Sequence, residues 1–128
     1  LCSEVSAPAK FKNPIWRAQP GGVLLLSKNP IAPIDASSLE QFRDLHETSR
    51  WVHGVFPYGD GRQGIHVTSL YGIANASADA LKFTANERLL KKGLDFLESR
   101  GRVPCFLSVD ANVSPDKSPA ASLFLGGE

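Results

Sequence analysis

Two polar residues at the end of an apolar segment have the side chains best suited to chemistry in this sequence. Residues 103–109 are predicted to form a strand, and Asp110 and Asn112 follow directly after it. If the chain stays extended, their i, i+2 spacing places both side chains on one side, where the strand meets solvent. The carboxylate can take a proton or hold a metal-bound water, and the amide can hydrogen-bond an anionic transition state. The alternative is an Asx turn that closes the strand, and spacing alone favours this turn.

Two histidines belong to a predicted β-hairpin. The runs 51–56 and 64–71 are rich in β-branched and aromatic residues, and the Asp-Gly pair at 60–61 suits the centre of a tight turn. That turn sets His53 opposite Thr68 and Val55 opposite His66, with the two imidazoles diagonal on one face. The pair could form part of a metal site, but no third ligand is evident, and ordinary sheet histidines are the favoured interpretation. Tyr71 ends the second strand, a position that by itself is typical of rim or core residues.

Three further elements, together with the strand over 103–109, are predicted to position these side chains. Gly-Gly and Asn-Pro bracket the apolar run Val23–Leu26, which is typical of a strand buried on both faces. Ser38 and Gln41 form a capping box for a short helix over 38–47. A second box at Thr84 and Glu87 precedes a helix over 85–100, followed by the strand over 103–109. The apolar face of the second helix and its stop signal are Leu90, Leu94, Leu97 and Gly101. Three cations on that helix could contact phosphates, although a solvated face is favoured: Arg88, Lys91 and Lys92.

The element order indicates an α/β (α+β) fold class. Strand, helix, antiparallel hairpin, loop, helix and strand follow one another, which predicts mixed pairing with helices packed outside the sheet. Residues 1–20, punctuated by prolines, are predicted to be irregular loop.

Composition excludes several classes of protein. The 128 residues carry 14 Lys and Arg against 13 Asp and Glu, so no basic arm for gripping nucleic acid is evident. The longest apolar run is far shorter than the roughly 20 residues of a membrane span. Two cysteines cannot build a disulfide scaffold or a zinc cluster, and Cys105 is expected to be a buried, inert thiol.

No signal peptide is visible, which favours an intracellular protein without identifying its compartment. The absence of Met and the apolar C-terminal stretch suggest an interior piece of a longer chain.

Several short motifs follow one another along the chain: Gly21–Ser27, Arg50–Val52, Gly64–Val67, Val67–Tyr71 with Asn75, and Pro104–Asn112. In their order and spacing, these motifs resemble the middle of the endonuclease/exonuclease/phosphatase family. This family includes deoxyribonuclease-I-like enzymes, apurinic-site endonucleases and retrotransposon endonucleases. The resemblance covers residues 21 to about 115, so the chain is interpreted as a partial domain of this family with a tail over 116–128.

The resemblance implies a four-layer α/β/β/α sandwich and hydrolysis of phosphodiesters or phosphomonoesters with Mg²⁺ or Mn²⁺. Asp110 matches the residue that orients or activates the attacking water, and it could hold the metal directly or through water. Asn112 matches a phosphate-binding Asn, and Tyr71 matches a Tyr that contacts the scissile phosphate. Asn75 is a candidate for substrate binding, although its spacing from Tyr71 is one residue longer than in the apurinic-site enzymes. Nucleic acid is the implied substrate.

The chain also departs from the family pattern. Val109 stands where the family usually has Gly, and its side chain is expected to crowd the site or shift the strand end. The family's metal-binding Glu and its Asp-His pair have no counterpart, so the isolated chain is expected to be inactive. Two alternatives remain open. One is a phosphatase of a small or lipid phosphate, and the other is a non-catalytic, degenerate remnant or interaction module.

Overall fold

A mixed sheet of three strands forms the centre of the structure, a computed structural model that describes residues 22–28, 31–32, 40–58 and 63–126. The strands are β1 (Trp51–Tyr58), β2 (Gln63–Tyr71) and β3 (Cys105–Asp110), in the order β1-β2-β3. β1 and β2 are antiparallel, whereas β2 and β3 are parallel. The helices are α1 (Arg43–His46), α2 (Ala80–Ser99) and α3 (Pro119–Phe124), with a short 3₁₀ turn at Ala76–Ala78. The α+β fold class is therefore confirmed.

The hairpin has the register that its turn chemistry predicts. His53 lies opposite Thr68, and Val55 lies opposite His66. Asp60 and Gly61, the predicted turn centre, lie outside the described residues. Since side chains alternate between the two faces of a strand, this register fixes which face each residue of β2 occupies.

The helix α2 forms the crossover that a parallel strand pair requires. It begins earlier than predicted because Asp79 is its N-cap: the Oδ1 atom accepts from the amides of Leu81 at 2.8 Å and Lys82 at 3.2 Å. The predicted capping box at Thr84 is wrong, since the Thr84 hydroxyl donates to the Ala80 carbonyl inside the helix at 3.0 Å. The predicted stop is confirmed: Gly101 follows the helix with a φ of 75°.

Phe96 on α2 is the centre of the core and is fully buried. Its ring packs edge-to-face against Phe42 at 5.1 Å, Trp51 at 5.2 Å and His53 at 4.7 Å between ring centroids. The predicted leucine face is confirmed, because Leu90 is buried and the other two leucines are half-buried. The remaining buried apolar side chains of this cluster are Leu45, Leu70, Leu89, Leu90, Ala120 and Ala121.

Two apolar segments behave differently from their prediction. Val23–Leu26 is not a strand: Leu24 and Leu26 are 44% and 63% exposed, and Leu25 packs toward Gly54 of β1. Cys105 is exposed rather than buried, because it begins β3, an edge strand that pairs only with β2 in the part of the chain that the structure describes. In both cases, burial depends on whether another element packs over the segment, and the apolar residue types alone do not predict that packing.

The first and last helices also differ from expectation. α1 comprises four residues, within the predicted range of 38–47, and Ser38 of its predicted capping box lies outside the described residues. In the range predicted as a tail, α3 forms with Pro119 in its first turn. The Ser118 hydroxyl oxygen caps it by accepting from the Ala121 amide at 2.9 Å. Glu87, assigned to a capping box by sequence, instead bonds the Ser118 hydroxyl and the Ala120 amide.

Candidate functional site

The carboxyl ends of β2 and β3 bring Tyr71 and Asp110 together. These residues are opposite each other in the parallel register, and the Gly72 amide donates to the Asp110 carbonyl at 2.6 Å. Leu70 and Val109, one position earlier, pack into the core under α2. Because side chains alternate, Tyr71 and Asp110 belong to the opposite face of the sheet. Tyr71 is half-buried, and Asp110 is exposed.

The packing of Val109 corrects one expectation. Its branched side chain was expected to crowd the site, but it packs against the core cluster instead. It therefore projects away from the face that carries Tyr71 and Asp110, and the strand pairing reaches Asp110 without interruption.

Asn112 reaches this edge through an Asx turn rather than through an extended strand. β3 ends at Asp110, and Asn112 has a left-handed φ of 52°. The Asn112 amide donates to Asp110 Oδ1 at 3.1 Å, and its side-chain Nδ2 donates to the Gly72 carbonyl at 3.0 Å. The Asx turn that the spacing alone favours is therefore confirmed, and the extended i, i+2 geometry is wrong. The turn bends the chain back so that the Asn112 side chain binds the end of β2.

Arg50 is a further member of this edge, and the sequence alone does not predict its role there. Its Nη1 donates to the same Gly72 carbonyl at 2.8 Å, and its guanidinium lies 5.3 Å from the centroid of the Tyr71 ring. The carbonyl therefore accepts from both Arg50 and Asn112. The guanidinium beside the Tyr71 ring is a group suited to binding an anionic ligand.

Asn86 holds the two strand ends together from beneath. It is fully buried on α2, where its Oδ1 accepts from the Ile73 amide at 2.7 Å and its Nδ2 donates to the Ala111 carbonyl at 2.9 Å. Gly72 lies against the same turn, since a Cβ there would be 2.5 Å from the Ala111 carbonyl oxygen. One sequence signal could have identified Asn86: it precedes Leu90 by four residues, so it is a polar residue on the apolar face of the helix.

Asn75 does not join this group. It adopts a left-handed φ of 59° at the start of the 3₁₀ turn, and its carbonyl accepts from the Ala78 amide at 3.1 Å. Within the described residues, no hydrogen bond links its exposed side chain to Tyr71, Asp110 or Asn112.

The histidine pair occupies the core face of the same sheet, as the register predicts. His53 Nδ1 is 2.9 Å from the Thr68 hydroxyl oxygen, and His53 Nε2 is 3.1 Å from His66 Nδ1. Burial, reinforced by the nearby charges of His66, Arg100 and His46, lowers the pKa of His53 to about 4. Burial also lowers the pKa of His66. Over the described ranges, no three His, Cys, Asp or Glu side chains are grouped so that they could hold a metal ion.

The cations of α2 have two kinds of surroundings. Lys91 pairs with Asp95 at 2.6 Å, and Lys92 pairs with Asp44 of α1 at 2.7 Å. Arg88 is exposed and forms no ion pair with any other described residue. The prediction of a solvated face therefore fits the exposed Lys91 and Arg88, whereas Arg88 and Lys92 also line a cavity between α1 and α2.

Comparisons with known proteins do not identify the chain. No protein-family model matches it, and no match was found among curated proteins or solved structures. None of the helices in the described ranges is sufficiently long and apolar to span a membrane.

Proposed function

We propose that this chain is the central part of a metal-dependent phosphoesterase of the endonuclease/exonuclease/phosphatase family, with nucleic acid as its substrate. One observation carries the proposal: Tyr71 and Asp110 lie opposite each other at the carboxyl edge of a parallel strand pair, with Asn112 bound to the same edge. Ligands commonly bind beyond the carboxyl ends of strands in such folds. The motif resemblance assigns these same three residues to phosphate hydrolysis.

Each side chain has a proposed role that its surroundings allow. The Asp110 carboxylate is exposed and accepts one hydrogen bond from the Asn112 amide, which leaves acceptor capacity for a water molecule. The Tyr71 hydroxyl can donate to a phosphate oxygen. Asn112 Nδ2 carries two N–H groups, one used by Gly72, so the second can donate to the same phosphate.

A magnesium ion at this edge would be held by Asp110, directly or through water. Mg²⁺ is usually bound by one or two carboxylates, with waters and substrate phosphate completing the coordination. Asp110 is therefore the smallest set of protein ligands that could hold the ion, and we expect hydrolysis only where further ligands complete the coordination. The ion would neutralise charge that develops on the phosphate.

The four-layer sandwich is part of the proposal. The sheet face that carries Tyr71 and Asp110 also carries Ile65 and Phe106, which are 37% and 63% exposed. Apolar side chains on the face opposite α2 are consistent with a second sheet packed there, as the proposed architecture requires.

Binding of Mn²⁺ to the chain tests the metal role directly. We expect paramagnetic broadening of the backbone amide signals of Tyr71, Asp110 and Asn112 in NMR spectra, and its loss in Asp110→Asn. Asp95→Asn is the matched control. Asp95 is also a carboxylate, but it pairs with Lys91 on α2 and lies outside this edge. Equal broadening in the wild-type chain and Asp110→Asn would contradict the metal role of Asp110.

Cleavage of plasmid DNA with Mg²⁺ tests the reaction. We expect the 128-residue chain alone to show no measurable hydrolysis, and the chain within its natural flanking sequence to cut. There, Asp110→Asn should lower the rate by about 10²–10⁴-fold. The non-catalytic alternative, which the engagement of Asp110 and Asn112 in a structural turn favours, predicts that neither the extended protein nor its variant cuts DNA.

A further inference from the structure

A cavity of 390 Å³ lies between α1 and α2, beside the candidate edge. Its volume falls within the range of small-molecule sites, roughly 300–1,000 Å³. The floor is apolar and is formed by Leu45, Leu89 and Ile73, of which the first two are buried in the core. The cavity can therefore cover an apolar or planar organic group.

The rim of this cavity is cationic. Arg50, Arg88 and Lys92 line it together with one carboxylate, Asp44, which leaves a net charge of +2 from three cations and one anion. Lys92 is the cation that pairs with Asp44, at 2.7 Å. The two guanidiniums therefore carry the net positive charge of the rim. Arg88 has no ion pair among the described residues, and Arg50 bonds a neutral carbonyl. Guanidinium groups match phosphate oxygens in geometry as well as in charge.

Arg50 connects the cavity to the edge. It lines the cavity, and it also donates to the Gly72 carbonyl, to which Asn112 donates as well. The same guanidinium lies 5.3 Å from the centroid of the Tyr71 ring. A ligand bound to Arg50 in the cavity would therefore be one side chain away from Tyr71.

We propose that this cavity is a subsite for a phosphate ester, with the phosphate bound by Arg50 and Arg88 and its organic part on the Leu45–Leu89 floor. The inference deepens the proposed function, since such a site would position a substrate that carries a phosphate beside the scissile one. A nucleotide and a lipid phosphate share the required chemistry, so the probes must separate these two sources.

Titration calorimetry with the metal-free chain in EDTA tests the subsite. The probes are adenosine 5′-monophosphate, n-hexyl phosphate, adenosine and inorganic phosphate. We expect the two esters to bind at least about 10-fold more tightly than adenosine or inorganic phosphate, because only the esters use both the cations and the floor. Tighter binding of the nucleotide supports a nucleic-acid substrate, and tighter binding of hexyl phosphate supports a lipid. Inorganic phosphate binding as tightly as both esters would overturn the proposal.

Two matched variants on one helix separate a specific contact from general charge. Arg88→Gln removes a cation of the rim, and Lys91→Gln removes a neighbouring cation that does not line the cavity. We expect ester binding to weaken about 5-fold or more in Arg88→Gln and less than about 2-fold in Lys91→Gln. Equal weakening in both would overturn the subsite. The calorimetry is carried out without metal, so failure of the metal role appears in the Mn²⁺ experiment and failure of the subsite appears in the calorimetry.

Discussion

The strand β2 carries two polar clusters whose hydrogen bonds have different kinds of partners. At its carboxyl end, side chains bond backbone groups: Asn86 bonds Ile73 and Ala111, and Asn112 bonds Gly72. In its middle, the His53 side chain bonds the side chains of Thr68 and His66. The first cluster fixes the positions of two strand ends, whereas the second connects side chains already fixed by the hairpin.

The two clusters therefore have different structural roles. Side chains of the first position the backbone at the strand ends, whereas side chains of the second are buried in the core. Backbone groups at strand ends have no ladder partner, so a side chain that bonds them determines the local path of the chain. The exposed carboxylate of Asp110 lies on the edge that Asn86 holds in place. His53 packs on Phe96, and burial of both His53 and His66 penalises their charged forms. The first cluster is therefore suited to presenting a functional group, and the second stabilises the core only while its imidazoles are neutral.

Replacing Asn86 should produce the largest effect. Asn86→Ala leaves the Ile73 amide and the Ala111 carbonyl without their buried partner, so we expect a loss of about 2–4 kcal/mol in the free energy of unfolding. Urea denaturation measures it. Thr84→Ala is the control on the same helix, because its hydroxyl bonds only the helix itself. A loss below about 1 kcal/mol for Asn86→Ala would show that the strand ends do not depend on this side chain.

Local chemistry was sufficient to predict the hairpin and its face. The Asp-Gly pair between two β-rich runs specifies a register, and a register of period two specifies which residues share a face, so the His53–His66 contact followed. The helical face of Leu90 and the Gly101 stop were predictable for the same reason. In each case the signal lies within a few residues of the element.

Features that depend on a distant neighbour were not predictable. Asp79 rather than Thr84 caps α2, although both have suitable side chains, and the Thr84 hydroxyl bonds the Ala80 carbonyl inside the helix. The roles of Asn86 and Arg50 depend on strand ends 13 and 22 residues away in sequence. Val23–Leu26 has the composition of a buried strand but lacks a strand partner within the described residues.

Lowering the pH should destabilise the folded protein through the histidine cluster. Because the pKa of His53 is lowered to about 4 in the folded state, the unfolded chain binds a proton first as pH falls. The contribution of neutral His53 to the free energy of unfolding is fully present above pH 6.5 and decreases from there toward pH 4. We expect a loss of about 1–2 kcal/mol over this range, allowing for the partly exposed ring. His66 and His46 act in the same direction, since burial lowers their pKa values too.

His53→Gln isolates that contribution. Urea denaturation at pH 7.5 and pH 5 measures the pH dependence of the free energy of unfolding, which should be shallower in the variant even if its stability at pH 7.5 is lower. The same pH dependence in both proteins would mean that His53 is already protonated in the folded state near its ordinary pKa. The proposed contrast between a neutral core cluster and a polar edge would then be wrong.

The smallest effect is expected at the residue with the most important proposed role. Asp110→Asn keeps a side-chain oxygen that can accept from the Asn112 amide, so the Asx turn should persist. The exposed carboxylate has no other hydrogen bond among the described residues, and we expect a change below about 0.5 kcal/mol in urea denaturation. Asp79→Ala is the contrasting variant: losing the N-cap of α2 should cost about 1 kcal/mol. If Asp110→Asn costs as much as Asp79→Ala, the Asp110 carboxylate is itself part of what holds the edge together. Stability near that of the wild type would instead show that the fold presents this charge without needing it.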